Sequence, residues 1–178
     1  MTNYLTQVIR LLGGDGDPRP CPDKWREIEA EYAISLPVDY KELIERFAPV
    51  ELNNRLYLHH PGFDSWNLSQ WMRETVDAFE NCQWEEVTAP SLDAAELSFG
   101  SGGLIPLAST TGGEYLFLLA RSDNEPLLIV HVGDDDDFYE YDMGFTEWLC
   151  RYLSDEETAG PNSSAGWAAP VQVRRLPT

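Results

Sequence analysis

Gly103-Leu104-Ile105-Pro106-Leu107-Ala108, Tyr115-Leu116-Phe117-Leu118-Leu119-Ala120, Leu127-Leu128-Ile129-Val130-His131-Val132 and Phe138-Tyr139-Glu140-Tyr141 are four short runs of strand-forming residues. The gaps between them are six, six and five residues long, with Thr110 to Gly113 and Glu125-Pro126 as turn material in the first two. A parallel pair needs a crossover of a dozen or more residues, normally a helix, and these gaps hold no helical pattern. The runs therefore predict an antiparallel meander. Helical patterns lie before and after it, which is the arrangement of an α+β domain.

Working outward, Tyr4, Leu5, Val8, Leu11 and Leu12 recur at helical spacing, and Gly13-Gly14 ends that helix. The stretch from Gly13 to Pro22 is a linker or an ordered loop. Trp25, Ile28, Glu29 and Tyr32 mark a second helix, and Tyr40, Leu43, Ile44 and Phe47 a third. Pro37 is expected at the third helix's first position, where its missing N–H costs nothing. Asp39 then sits where its carboxylate accepts from the free N–H groups of that terminus. Leu56-Tyr57-Leu58 reads as a strand and His59-His60-Pro61-Gly62 as a turn. Asn67 should cap a helix with Leu68, Trp71, Met72, Val76 and Phe79 on its inner face. Residues 82–99 carry no decisive pattern. Phe145, Trp148, Leu149 and Tyr152 or Leu153 form a closing helix. After Glu157 the chain turns to Gly, Pro, Ser and Ala, ending in Val171-Gln172-Val173-Arg174-Arg175, a flexible extension or an edge strand. Residues 1–157 thus read as a single domain and 158–178 as a C-terminal extension.

The 178 residues, 43% hydrophobic and 24% charged, are enough for one domain whose core needs neither disulfide nor metal. No apolar run approaches the roughly 20 residues needed to span a bilayer. The first residues lack the basic flank and small-residue cleavage site of a secretory signal. Three cysteines at wide spacings, Cys21, Cys82 and Cys150, form no Cys-x-x-Cys pair and suit reduced thiols in the cytoplasm. Charge is the most uneven feature. Of a net −19, residues 74–150 carry −16, from 17 acidic side chains and the single basic Arg121. Such a field repels nucleic acid and anionic membrane and attracts basic surfaces.

Catalytic and metal patterns fail on inspection. His59, His60 and His131 are the only histidines, and adjacent extended residues point to opposite faces, so His59 and His60 share no metal. Gly100-Ser101-Gly102-Gly103 lacks the Lys-Ser/Thr ending of a phosphate loop and leads into a strand rather than a helix. Ser101, Ser109 and Thr110 have no His-acid partner pattern. No cofactor and no catalytic residue is expected.

Trp25-Arg26-Glu27-Ile28-Glu29 followed by Leu36-Pro37-Val38-Asp39-Tyr40 resembles a motif of the SUKH superfamily, which includes bacterial toxin-immunity proteins and fungal cell-wall assembly regulators. Gly103 to Ala108, with its internal Pro106, is similar to the family's apolar strand. Gly113-Glu114-Tyr115 resembles the start of the next strand, and Phe145-Thr146-Glu147-Trp148-Leu149 the closing helix. The resemblance runs from about Asp23 to Leu153. Its family motif here comprises Trp25, Ile28, Glu29, Leu36, Pro37, Asp39, Tyr40, Gly103, Pro106 and Gly113. Two departures stand out: Phe47-Ala48-Pro49-Val50 replaces a frequent Gly-rich turn, and both chain ends lie outside the core resemblance. The resemblance implies a curved antiparallel sheet packed with helices, no catalysis, and function through a protein partner.

Asp134, Asp135, Asp136 and Asp137, with Glu140 and Asp142, place six carboxylates within nine residues. The alternating acids, central Gly and distal Glu of a calcium loop are absent. The run is either a solvated loop or an acidic rim beside Phe138, Tyr139 and Tyr141, with charge to steer and aromatics to anchor a partner. On the second reading Asp134 to Tyr141 bind a cognate protein toxin with a basic surface. The alternative is a regulatory or scaffold module with endogenous partners. The oligomeric state is not set by the sequence.

Overall fold

The computed structural model describes residues 3–82, 84, 87–93, 97–120, 127–133, 137–157, 159–160 and 170–178. In chain order these contain α1 (Tyr4–Leu11), α2 (Pro22–Tyr32), α3 (Val38–Phe47), β1 (Val50–Leu52), β2 (Leu56–Leu58), α4 (Leu68–Glu80), β3 (Leu104–Thr110), β4 (Tyr115–Leu119), β5 (Leu127–Val132), β6 (Asp137–Tyr141), α5 (Phe145–Leu153) and β7 (Val173–Arg175). The strands form one curved, unclosed sheet in the order β6-β5-β4-β3-β2-β1-β7, with every neighbouring pair antiparallel. The β3 to β6 meander is the one the sequence predicts, and the fold is α+β.

Local chemistry explains the ends of the elements. Asn67 caps α4, its Oδ1 accepting from the Gln70 N–H at 3.0 Å. Asn53 and Asn54, at φ 51° and 53°, turn β1 into β2, with the Arg55 N–H on the Leu52 carbonyl at 3.0 Å. Asparagine tolerates this left-handed conformation, which two-residue hairpin turns demand. Pro37 stands one place earlier than expected: it is the extended cap residue of α3, φ −55° and ψ 136°, and the helix begins at Val38. The reason lies one residue back, where the Leu36 N–H is held by the Glu29 carboxylate and keeps the approach to the helix extended.

Strand alternation divides the apolar residues between two cores. Leu116, Leu118, Leu128 and Val130 join one cluster with α1, α2, α3 and α5, centred on Trp148, Tyr40 and Leu43. Phe117, Leu119, Leu127, Ile129 and Phe138 point the other way, toward Phe79 of α4 and Trp84, Val87, Ala89, Leu92, Leu97 and Phe99. β3 carries a bulge between Pro106 and Ala108. β2 reaches only Ser109 and Thr110 of β3, so Pro106, which has no N–H to give, lies on the stretch β2 does not pair. The C-terminal run resolves as an edge strand, β7 on β1.

Candidate partner-binding surface

The residues of the family motif form a joint between helices and sheet. Glu29 Oε1 accepts from the Leu36 N–H at 2.9 Å and from Lys41 Nζ at 2.7 Å, tying the end of α2 to the start of α3. Tyr40 is 1% exposed, its ring edge-on to Trp25 and Phe145, and its hydroxyl donates to the Leu107 carbonyl at 2.9 Å. Leu107 is the bulged residue of β3, so the hydroxyl satisfies a carbonyl at the point where the ladder is interrupted. Burial raises the Tyr40 pKa far above its ordinary range, so this donor is permanently protonated. Trp25 donates its Nε1–H to Glu45 at 2.9 Å, and Asp39 accepts from the Tyr40 N–H at 2.9 Å. Ile28 and Leu36 fill the core beside them, and Pro37 caps α3. A Cβ at Gly103 would collide with the Ser98 carbonyl, and Gly113, at φ +86°, makes the turn from β3 into β4. Every one of these residues is engaged in structure.

Beside the joint, an open groove of about 570 Å³ runs between α2 and α3, with Trp25 and the exposed Val38 in its wall. Of its charges, Lys41 pairs with Glu29, Arg46 with Glu42 and Arg26 with Asp23, and Glu45 accepts from the Trp25 Nε1–H.

The acidic rim is divided by the strand. Phe138, 1% exposed, packs with Trp84 and His131 inside the second core and is not available to a partner. This corrects the grouping of Phe138 with the anchoring aromatics: β6 alternates, and Asp137, Tyr139 and Tyr141 share the opposite face. Tyr141 lies against the first core and exchanges hydrogen bonds between its hydroxyl and the Gly160 backbone. Glu140 accepts from the Ser91 N–H. Asp137 and Tyr139 are half-buried and Asp142 is exposed. Asp134, Asp135 and Asp136 lie outside the described residues.

The structure adds a helix to this surface. Glu74, Asp77 and Glu80 are exposed along α4 at three-residue spacing. Phe79, on the buried side of that helix, meets His131 at 5.0 Å, and His131 meets Phe138 at 4.9 Å, which sets the C-terminal end of α4 over β5 and β6. The i, i+3, i+6 spacing of the acids was the signal in the sequence.

The histidines are packing residues. His59 is 6% exposed, stacked on Trp71 at 4.7 Å and tilted against Trp66 at 5.6 Å. Burial lowers its pKa to about 4. His60 Nδ1 accepts from the Gly62 N–H at 2.9 Å within the turn. Among the described residues no three His, Cys, Asp or Glu stand where they could hold a metal, and no helix is long and apolar enough to cross a membrane.

The family model described as SMI1-KNR4 cell-wall, SUKH_6, matches residues 22–149, from the first residue of α2 into α5. No curated protein and no solved structure matches the chain. The family includes toxin-immunity proteins and cell-wall regulators, generally without catalytic activity. The match spans well over half of the chain and takes in the joint at Glu29 and Tyr40 and the meander together: the chain belongs to the SUKH superfamily.

Proposed function

We propose that this chain is a non-catalytic immunity protein of the cytoplasm that binds a cognate protein toxin with a basic surface and neutralises it by occlusion. The observation that carries the reading is the charge of residues 74–150, −16 with a single basic side chain, on a chain of this family. Glu74, Asp77, Glu80 and Asp142 stand exposed, and Asp137 and Tyr139 are half-buried on the other face of β6. A surface of this sign draws a cationic cleft to it and raises the association rate, while ring contacts such as Tyr139 slow dissociation. A toxin acting on nucleic acid has such a cleft, since it must itself attract phosphate.

Coexpression with the toxin encoded next to this gene tests the reading. Restored growth and co-elution of the two proteins on gel filtration are the expected results. Persisting toxicity with no complex would overturn it. The family's description as cell-wall favours a second reading, a regulatory module recruiting endogenous partners. In that case affinity capture returns cell-wall assembly proteins, and no toxin gene lies alongside.

A further inference from the structure

At the far end of the sheet from β6, the chain's own C-terminus is bound as an extended ligand would be. β7 lies antiparallel on β1, with Val173, Arg174 and Arg175 opposite Leu52, Glu51 and Val50. The Asn53 N–H donates to the Gln172 carbonyl and the Gln172 N–H to Asn53 Oδ1, both at 2.8 Å. The Leu176 N–H donates to the Pro49 carbonyl at 3.1 Å. Side chains engage at every second residue, the period of an extended segment. Gln172 Oε1 accepts from Asn54 Nδ2 at 2.8 Å, Arg174 pairs with Glu51, and Leu176 is 5% exposed. Val173 and Arg175, between them, face out.

Glu51 is the informative residue. Its carboxylate is 4% exposed at the edge of the sheet, and the cation beside it comes from the tail. The tail that buries this carboxylate also brings its cation, and a buried carboxylate without a cation is strongly disfavoured, so any segment that covers this edge must carry a basic residue opposite Glu51. Glu51, Asn53 and Asn54 lie inside the interval that matches the family, residues 22–149, whereas Gln172, Arg174 and Leu176 lie outside it. The receiving edge thus lies within the matched interval, and the segment that fills it lies outside it.

We propose that the β1 edge is a binding site for an extended, arginine-bearing segment of a partner protein, with residues 172–176 as its intramolecular occupant. The ligand carries Arg opposite Glu51, an apolar side chain two residues later and a side-chain amide two residues before. Recognition is by strand addition: backbone bonds supply affinity and the alternate side chains supply specificity. Three paired residues, the Asn53 and Asn54 bonds to Gln172, one ion pair and the contacts of Val171 and Leu176 hold a segment at the sheet's outer edge, where local opening costs least. As part of the same chain it has the advantage of an intramolecular ligand, which a matching partner segment must exceed. A second copy's tail offers the same contacts without the tether and so loses to the resident one. The site is separate from the acidic surface at β6, five strand spacings of about 4.8 Å along the sheet.

The test uses the full chain and, as probe, a fluorescent peptide of residues 170–178. R174E/L176A vacates the site while leaving the receiving edge intact. The probe should bind this variant at least about tenfold more tightly than it binds the wild type, and adding E51Q should abolish that gain. Equal binding to wild type and vacated chain, or no effect of E51Q, would overturn the proposal. Hydrogen exchange on the wild type needs no variant: the Asn53 and Leu176 amides should exchange at least about a hundredfold faster than those of the β3-β4-β5 ladder. Exchange together with the ladder would overturn displacement. A wild-type dimer joined by exchanged tails would overturn the partner in favour of a second copy.

Discussion

The two faces of the sheet are made by the same strands and covered by different means. Under Leu116, Leu118, Leu128 and Val130 lie helices, whose backbones satisfy their own hydrogen bonds, so side chains are free to pack. Over Phe117, Ile129 and Phe138 lie the end of α4 and irregular chain, held by rings and side-chain bonds. Phe79 alone meets Trp84, Phe99, Tyr115, Phe117 and His131 at 5.0 to 6.2 Å. Thr88 Oγ1 both accepts from the Phe138 N–H and donates to the Phe138 carbonyl, each at 2.7 Å, so one side chain caps the outer edge of β6 in place of a further strand. Regular structure therefore holds the first face and individual side chains hold the second. The exposed acids of α4 stand over this second face.

Truncation at the centre of each face is the strongest way to break this contrast. Trp148 is fully buried and stacked on Tyr152 at 4.7 Å among three helices. Trp148→Ala should destabilise the fold by about 3–5 kcal/mol, because helices docked on a sheet cannot close around the cavity. Phe79→Ala removes a comparable ring beneath a cover that can settle, so its cost should fall at or below about 3 kcal/mol. Denaturant melts of both variants decide the matter; if Phe79→Ala is the costlier, the second face is the more rigid one.

Acid sharpens the comparison on the helix-covered side. His59 is held neutral between two tryptophans, with its pKa lowered from 6.5 to about 4 by burial. Between those values the unfolded chain binds the proton and the folded one does not, so stability falls as pH drops through 6.5 and this loss is complete near 4. From pH 7 to pH 5 the contribution is about 2 kcal/mol. His59→Phe keeps the stack and removes the titration. Its stability relative to wild type should therefore improve by about that amount over the same interval. Parallel pH profiles from denaturant melts would show that His59 is not the sensitive group.

The same division explains what the sequence revealed. The meander is legible because each strand is an apolar run closed by turn residues, and Leu127-Leu128-Ile129-Val130 even shows burial on both faces in its lack of polar alternation. Helices announced themselves by period and caps. Val50-Glu51-Leu52 did not read as a strand, since it is three residues with a carboxylate at the centre, and that carboxylate is buried only because Arg174 arrives from 123 residues away. Residues 82–99 have no period to read; Trp84, Val87, Leu92, Leu97 and Phe99 join the second core through single side chains. Within the candidate site, composition grouped Phe138 with Tyr139 and Tyr141, whereas the strand's period of two separates it from them.

The smallest effect sought is the most selective for the side-chain-held edge. Thr88 contributes one hydroxyl that bonds both the N–H and the carbonyl of Phe138. Thr88→Val preserves shape and leaves the Phe138 N–H and carbonyl without that partner. Unmet backbone groups of this kind cost about 1–2 kcal/mol when they stay buried, and less when water reaches them. A strand edge can open to water where a core cannot, so the global loss should be about 1 kcal/mol. The diagnostic reading is local. The Phe138 amide should lose protection in hydrogen exchange while the amides of β3 and β4 keep theirs. Should the whole sheet lose protection together, the edge of β6 is bound into the cooperative core and the contrast between the faces fails there.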